Sequence, residues 1–144
     1  MKRFRPERAL GLMMVVLGFA GVLLGAGCGP ERAEDRMREL RGIVTYRERI
    51  ALPPGVRLEV ELLDRTKAGA TDEILGRTVV ENAGQVPIGF VITYNAAKFG
   101  EGRIYSVKAS LSEGGRLLFS TAGHEGIDLE NLDGLLEIVL RQPE

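Results

Sequence analysis

One cysteine and one histidine bound the chemistry open to this 144-residue chain. A zinc site built from the usual nitrogen and sulfur ligands needs three or four such side chains, and Cys28 and His124 together cannot supply them. His124 lies beside Glu125 in the run Gly123-His124-Glu125-Gly126. A glycine-flanked imidazole of this kind is solvated far more often than it is catalytic. It is also the one imidazole a nucleophilic triad could draw on, and no serine sits in a nucleophile-elbow sequence. The carboxylates gather in two places: Asp64, Asp72 and Glu73 flank one loop, and Asp128, Glu130 and Asp133 lie in another. Paired carboxylates can act as acid and base or hold calcium. Their spacing here fits no EF-hand loop, and tryptophan is absent, which removes the commonest sugar platform. Gly114-Gly115 lacks the downstream Lys-Ser/Thr of a phosphate-binding loop and reads as a turn. This inventory predicts no catalytic residue, no metal and no cofactor.

Cys28 has a different fate written around it. Lys2, Arg3, Arg5 and Arg8 form a positive start, and an apolar run free of charge extends from Leu10 to Leu24. The run ends in Leu24-Gly25-Ala26-Gly27-Cys28. Charge, apolar run, small residues and then a cysteine is the order of a bacterial lipoprotein signal, with the cysteine acylated after cleavage. A membrane-spanning helix needs about 20 apolar residues, and this run is shorter and rich in glycine. The usual lipoprotein pattern has leucine three residues before the cysteine; here that place is Gly25, with Leu24 one residue earlier. An ordinary secretory signal would leave Cys28 as a free thiol in an exported protein. Acylation, as with palmitate, accounts for both its presence and its position. Gly29, rather than aspartate, follows it. By the sorting rule of Gram-negative lipoproteins, that predicts anchoring in the outer membrane, facing the periplasm.

The expected organisation is a signal peptide over 1–27, a lipidated tether over 28–41 and one folded domain over 42–142. The signal carries four basic residues against the single acid Glu7, so its removal takes the formal charge from −1 to −4. A mildly acidic domain lacks the basic footprint of a nucleic-acid binder and has no basic patch to hold a membrane by charge. Attachment must then come from the lipid. No disulfide can form within the chain, so the fold rests on its core. The stretch from Gly29 to Leu40 is charged and offers only Met37 and Leu40 as large apolar anchors, which reads as solvated tether.

Downstream, alternation with period two dominates, and it predicts an all-β domain. Val56, Leu58, Val60 and Leu62 share one face of a strand; so do Val86, Ile88, Phe90, Ile92 and Tyr94, and Tyr105, Val107, Ala109 and Leu111. Leu136, Ile138 and Leu140 mark a last, shorter strand. Val44 to Ile50 reads as the first strand, with Glu48 on its apolar side as on a protected edge. Residues 74–80 are apolar on both faces, and 121–133 have no clean period, so the latter reads as loop or one helical turn. Leu52-Pro53-Pro54-Gly55, Lys67 to Asp72 and Asn82-Ala83-Gly84 supply loops, and Glu113-Gly114-Gly115 predicts a tight hairpin. Pro87 donates no ladder hydrogen bond, so its strand should be an edge or begin there. The expectation is a small single-domain antiparallel β-sandwich of about seven strands, with a closed barrel as the alternative.

These strands resemble the YbaY/YscW family of small envelope lipoproteins. The resemblance rests on Tyr-Arg-Glu-Arg-Ile-Ala-Leu-Pro-Pro-Gly at 46–55, Leu-Glu-Val-Glu-Leu-Leu-Asp at 58–64 and Gly-Gln-Val-Pro-Ile-Gly-Phe at 84–90. Tyr105 to Ala109 and Gly115 to Phe119 extend it, so that it covers about 42–120. It implies an exported β-sandwich lipoprotein without catalytic residues. The family takes its name from members acting as pilotins in type III secretion, which bind a secretin subunit. The resemblance therefore implies a non-enzymatic lipoprotein that binds an envelope protein such as a secretin. The alternative is a periplasmic module that binds a small ligand or an inhibitor.

Overall fold

The computed structural model describes residues 36–129, 132 and 134–144; Cys28, Glu130 and Asp133 lie outside the described residues. Eight strands follow in order: β1 Met37–Tyr46, β2 Arg57–Asp64, β3 Glu73–Val80, β4 Ile88–Asn95, β5 Tyr105–Glu113, β6 Arg116–Ser120, β7 Glu125–Ile127 and β8 Leu136–Leu140. A 3₁₀ turn, Ala96–Lys98, follows β4. One sheet has the order β4-β1-β8, and the other has the order β3-β2-β5-β6 with β7 also paired to β5. The chain is all-β, and its inward rows pack the two sheets together. Those rows are the ones the alternation marks: Leu58, Val60 and Leu62 on β2, Ile88, Phe90 and Ile92 on β4, Val107, Ala109 and Leu111 on β5, and Ile138 and Leu140 on β8 are all buried. Each such aliphatic or aromatic side chain contributes about 1.5–3 kcal/mol when removed from water.

Local signals also place the turns. β5 and β6 pair up to Glu113 and Arg116, so Gly114 and Gly115 alone make the connection, with φ of 54° and 83°. Two positive φ values in a two-residue loop match the twist of a hairpin, and glycine adopts them without steric penalty. β4 begins one residue after Pro87 and is the outermost strand of its sheet, so both consequences expected of that proline hold.

The first strand differs from the expected one. It runs Met37–Tyr46 rather than 44–50, and so takes residues 37–41 out of the stretch read as tether. It is central rather than an edge, pairing antiparallel with β4 and parallel with β8. Glu48 therefore lies beyond the strand, in a bend, and guards no edge. The physical reason sits at Gly42, an inward position with no side chain of its own. A Cβ there would come within 2.4 Å of Phe90 Cζ and 2.6 Å of the Leu136 carbonyl oxygen. The Phe90 ring fills the place of the missing side chain, so the inward row Leu40, Gly42, Val44, Tyr46 is continuous in space although broken in sequence.

Two further expectations change. Eight strands replace about seven, because β7 forms within 121–133 by pairing with Tyr105 to Val107. The sandwich is also not wholly antiparallel, since β1 and β8 run parallel. The ladders form two sheets and not a closed barrel, but both flanks are drawn together. On one flank β3 lies so close to β4 that a Cβ on Gly76 would meet Ile92 Cγ2 at 2.5 Å and the Thr93 carbonyl oxygen at 2.8 Å. On the other, Ser120 and Arg141 exchange reciprocal backbone hydrogen bonds of 2.8 Å. The two ends of the sandwich are left to decide where the interior can be reached.

Candidate functional site

One end is sealed. At the C-terminal end of β1 the Tyr46 ring stacks on Phe119, with centroids 4.2 Å apart and planes 8° from parallel. The Tyr46 hydroxyl donates to the Ile50 carbonyl, and burial, with the Glu48 charge adding to it, holds its pKa above the ordinary tyrosine value. Leu52 then folds over the end and is buried. Gln85 holds it by accepting from the Leu52 N–H and donating to the Leu52 carbonyl, both at 2.8 Å. A backbone segment crossing an apolar end must have both groups satisfied, and a single primary amide does this.

The opposite end is open. Arg38 and Tyr94 are cross-strand neighbours on β1 and β4. Both continue the inward rows past Leu40 and Ile92, so their side chains stand at the mouth between the sheets. The Asn95 side chain accepts from the Ala97 N–H at 2.9 Å and caps the 3₁₀ turn. That turn brings Phe99 back between Tyr94, 4.7 Å away, and Tyr105, 4.5 Å away. The Gly100 N–H donates to the Tyr105 hydroxyl at 2.9 Å and fixes the end of this row of rings. Ile127 and Leu129 complete the far wall of a cleft of about 600 Å³.

A polar brace holds one side of the cleft. Arg103 donates to Asp64 at 2.8 Å and to the Lys98 carbonyl at 3.2 Å. Asp64 also accepts from the Thr66 backbone N–H at 2.8 Å and from the Thr66 hydroxyl. The Thr66 hydroxyl and N–H, with Arg103 helping, hold the Asp64 carboxyl below the usual aspartate range despite its burial. The Thr66 Oγ1 accepts in turn from the Ile104 N–H at 3.1 Å. Asp64 is thus a structural group that locks the loop after β2 to the loop before β5. Arg38, by contrast, has no ion-pair or hydrogen-bond partner among the described residues.

The other residues singled out by chemistry do not converge. His124 Nε2 stands 3.8 Å from Asp72 Oδ2, and Asp72 also faces Arg65 at 3.4 Å. Glu73 pairs with Lys98 at 2.7 Å, which lowers its pKa. These are exposed pairs of small energetic weight. Asp128 lines the cleft, well away in function from the loop of Asp64, Asp72 and Glu73. Among the described residues, no three His, Cys, Asp or Glu side chains come together as a metal site. Sequence reasoning did not single out Arg38 or Phe99. Arg38 falls within the charged stretch taken as tether, and Phe99 is an isolated aromatic between strands. The one available signal was Asn95 ahead of Ala96-Ala97, a cap that starts a turn.

Comparison with known proteins agrees with this architecture. Residues 35–132 match the family described as type III secretion system lipoprotein chaperone (YscW). The match reaches beyond residue 120 and takes in β7. The chain is 32% identical over 81 residues to the uncharacterized lipoprotein YbaY of Escherichia coli (strain K12), which is 56% of this chain and 43% of that protein. It therefore spans less than half the length of that relative. An alternative pilotin from the type II secretion system of Vibrio cholerae has a similar structure, with a TM-score of 0.64 and 31% identity. The correspondence covers 74% of this chain and 99% of that one.

Proposed function

The chain belongs to the YscW family of type III secretion system lipoprotein chaperones, and from that premise we propose that it is a non-enzymatic envelope protein that binds a secretin subunit in the manner of a pilotin. The observation that carries this reading is the likeness to the Vibrio cholerae pilotin over nearly the whole of that chain. The chemistry of the described residues supports it, since His124, Asp72 and Glu73 lie in exposed pairs and Asp64 is held in the brace. The reading includes a signal peptide over 1–27, acylation at Cys28, a tether that ends where β1 begins, and anchoring in the outer membrane with the domain in the periplasm.

The test is made in cells that carry a deletion of this gene. A clickable fatty acid should label the wild-type protein and not Cys28→Ser. The secretin should reach the outer membrane with the wild type and with a His124→Ala, Glu125→Ala double variant, and should be mislocalised with Cys28→Ser. Equal labelling of wild type and Cys28→Ser removes the lipid anchor from the reading. Loss of secretin localisation in the folded, correctly placed double variant would speak for catalysis. A second reading, a small-ligand module, is favoured by the cleft of about 600 Å³ with three rings on its wall. Native mass spectrometry of the protein purified from its own cells would reveal a retained small molecule.

A further inference from the structure

The open mouth of the sandwich combines two features. Three aromatic rings stand in a row, Tyr94, Phe99 and Tyr105, with neighbouring centroids 4.7 and 4.5 Å apart. Beside Tyr94 stands Arg38, inward in its strand and without a counter-charge among the described residues. The other cation of the cleft, Arg103, is paired with Asp64 at 2.8 Å, and two carboxylates also line it, Glu101 in the exposed turn at the rim and Asp128 just after β7. At Arg38 the cleft thus sets a row of rings beside a guanidinium that has no counter-charge among the described residues. An arginine beside such rings recognises a planar carboxylate with two parallel hydrogen bonds, which lysine cannot match.

We infer that this cleft receives a peptide segment of the partner protein in which a large apolar side chain lies next to an acidic residue, the apolar group filling the space beside Tyr94 and the carboxylate pairing with Arg38. This rests on the pilotin-like reading above and assigns it a surface.

The experiment uses the full-length chain in its own cells. A photo-crosslinking phenylalanine analogue replaces Tyr94 at the cleft or, as control, Val91 on the exposed outer face of β4, and the crosslinked peptides are sequenced by mass spectrometry. The expected adduct from position 94 is a secretin segment with acidic and large apolar residues side by side, and position 91 should give none. A synthetic copy of that segment should bind the purified protein, more weakly as salt rises. Its Kd should increase about tenfold or more with Arg38→Glu, less with Arg38→Lys, and not at all with Arg41→Glu, which lies on the outer face. Secretin adducts from position 91 but not 94, or from 94 onto a segment without acidic residues, overturn the assignment of the cleft while leaving the pilotin reading in place. An adduct from 94 to this chain's own residues 28–36 or to lipid does the same. The absence of any envelope-protein adduct at both positions overturns the pilotin reading and the cleft with it. Equal peptide affinity of wild type and Arg38→Glu overturns the role of the arginine.

Discussion

The two ends of the sandwich use similar residues to opposite effect. Each has a tyrosine on an inward row and a phenylalanine against it. Tyr46 and Phe119 stack flat and are buried under Leu52, which Gln85 clamps through both of its backbone groups. Tyr94, Phe99 and Tyr105 meet at angles of 58° and 37°, and the first two stay partly in water. What separates the ends is the covering segment. At one, a proline-rich loop brings an apolar plug with its polar groups satisfied; at the other, the loop after β4 turns back early and leaves an arginine facing the gap. Closure of a sandwich end is thus a property of the loop that crosses it, and the residues of the end that is left uncovered are free to serve binding.

Phe119→Ala should destabilise the protein by about 3–5 kcal/mol, as expected for a fully buried ring. Phe99→Ala, at the open end, should take away less than about 2 kcal/mol because part of that ring is never removed from water. Urea unfolding of the two variants measures both, and equal losses would mean that the ends are energetically alike. Next comes the clamp. Gln85→Ala leaves the N–H and carbonyl of Leu52 without their partner and should lower stability by about 1–3 kcal/mol, with increased hydrogen exchange at Leu52.

Asp64 sharpens the comparison through pH. Its folded pKa is depressed by Thr66 and Arg103, so its contribution is complete above its unfolded value of 3.8 and is lost as pH falls through the lower folded value. Asp64→Asn should therefore melt earlier than wild type near neutral pH, by about 1 kcal/mol of stability. The two melting curves should converge only once the pH has fallen through the lowered folded value. A gap that persists there would mean that the carboxylate charge does not matter to the brace. The smallest effect belongs to Arg38→Glu, which should change stability by no more than about 0.5 kcal/mol, as for an exposed residue without an ion-pair partner among the described residues. A larger loss in thermal melting would show that the arginine helps to build the end instead of standing ready at it.

Much of the fold was legible because burial repeats with period two. β2, β4, β5 and β8 carry uninterrupted inward rows, and the Gly114-Gly115 hairpin and the Pro87 boundary are local rules that tertiary contacts did not override. Three features were not legible, each for a physical reason. β1 hides its first half because Gly42 yields its place to the Phe90 ring. β3 is half-buried on both faces: Gly76 is pressed against β4, and a bulge between Leu62 and Leu63 shifts its register against β2. β7 is three residues long and exists only through its pairing with β5. The cleft was hidden for a related reason. An inward-facing arginine at an open end looks in sequence like any solvated charge, and Phe99 gains its role from a turn that folds it back. The proposed lipoprotein signal, by contrast, depends only on the order of residues along the chain, so no tertiary contact can hide it.

The central place of β1 has a mechanical meaning. With the proposed lipid at Cys28, a pull from the anchor would reach the folded domain through the start of β1, at Met37. That strand is laddered to β4 from Met37 to Val44 and to β8 from Gly42 to Tyr46. Tension along its axis loads both ladders in shear, so many hydrogen bonds must give way together, whereas an outer strand pulled sideways would unzip one bond at a time.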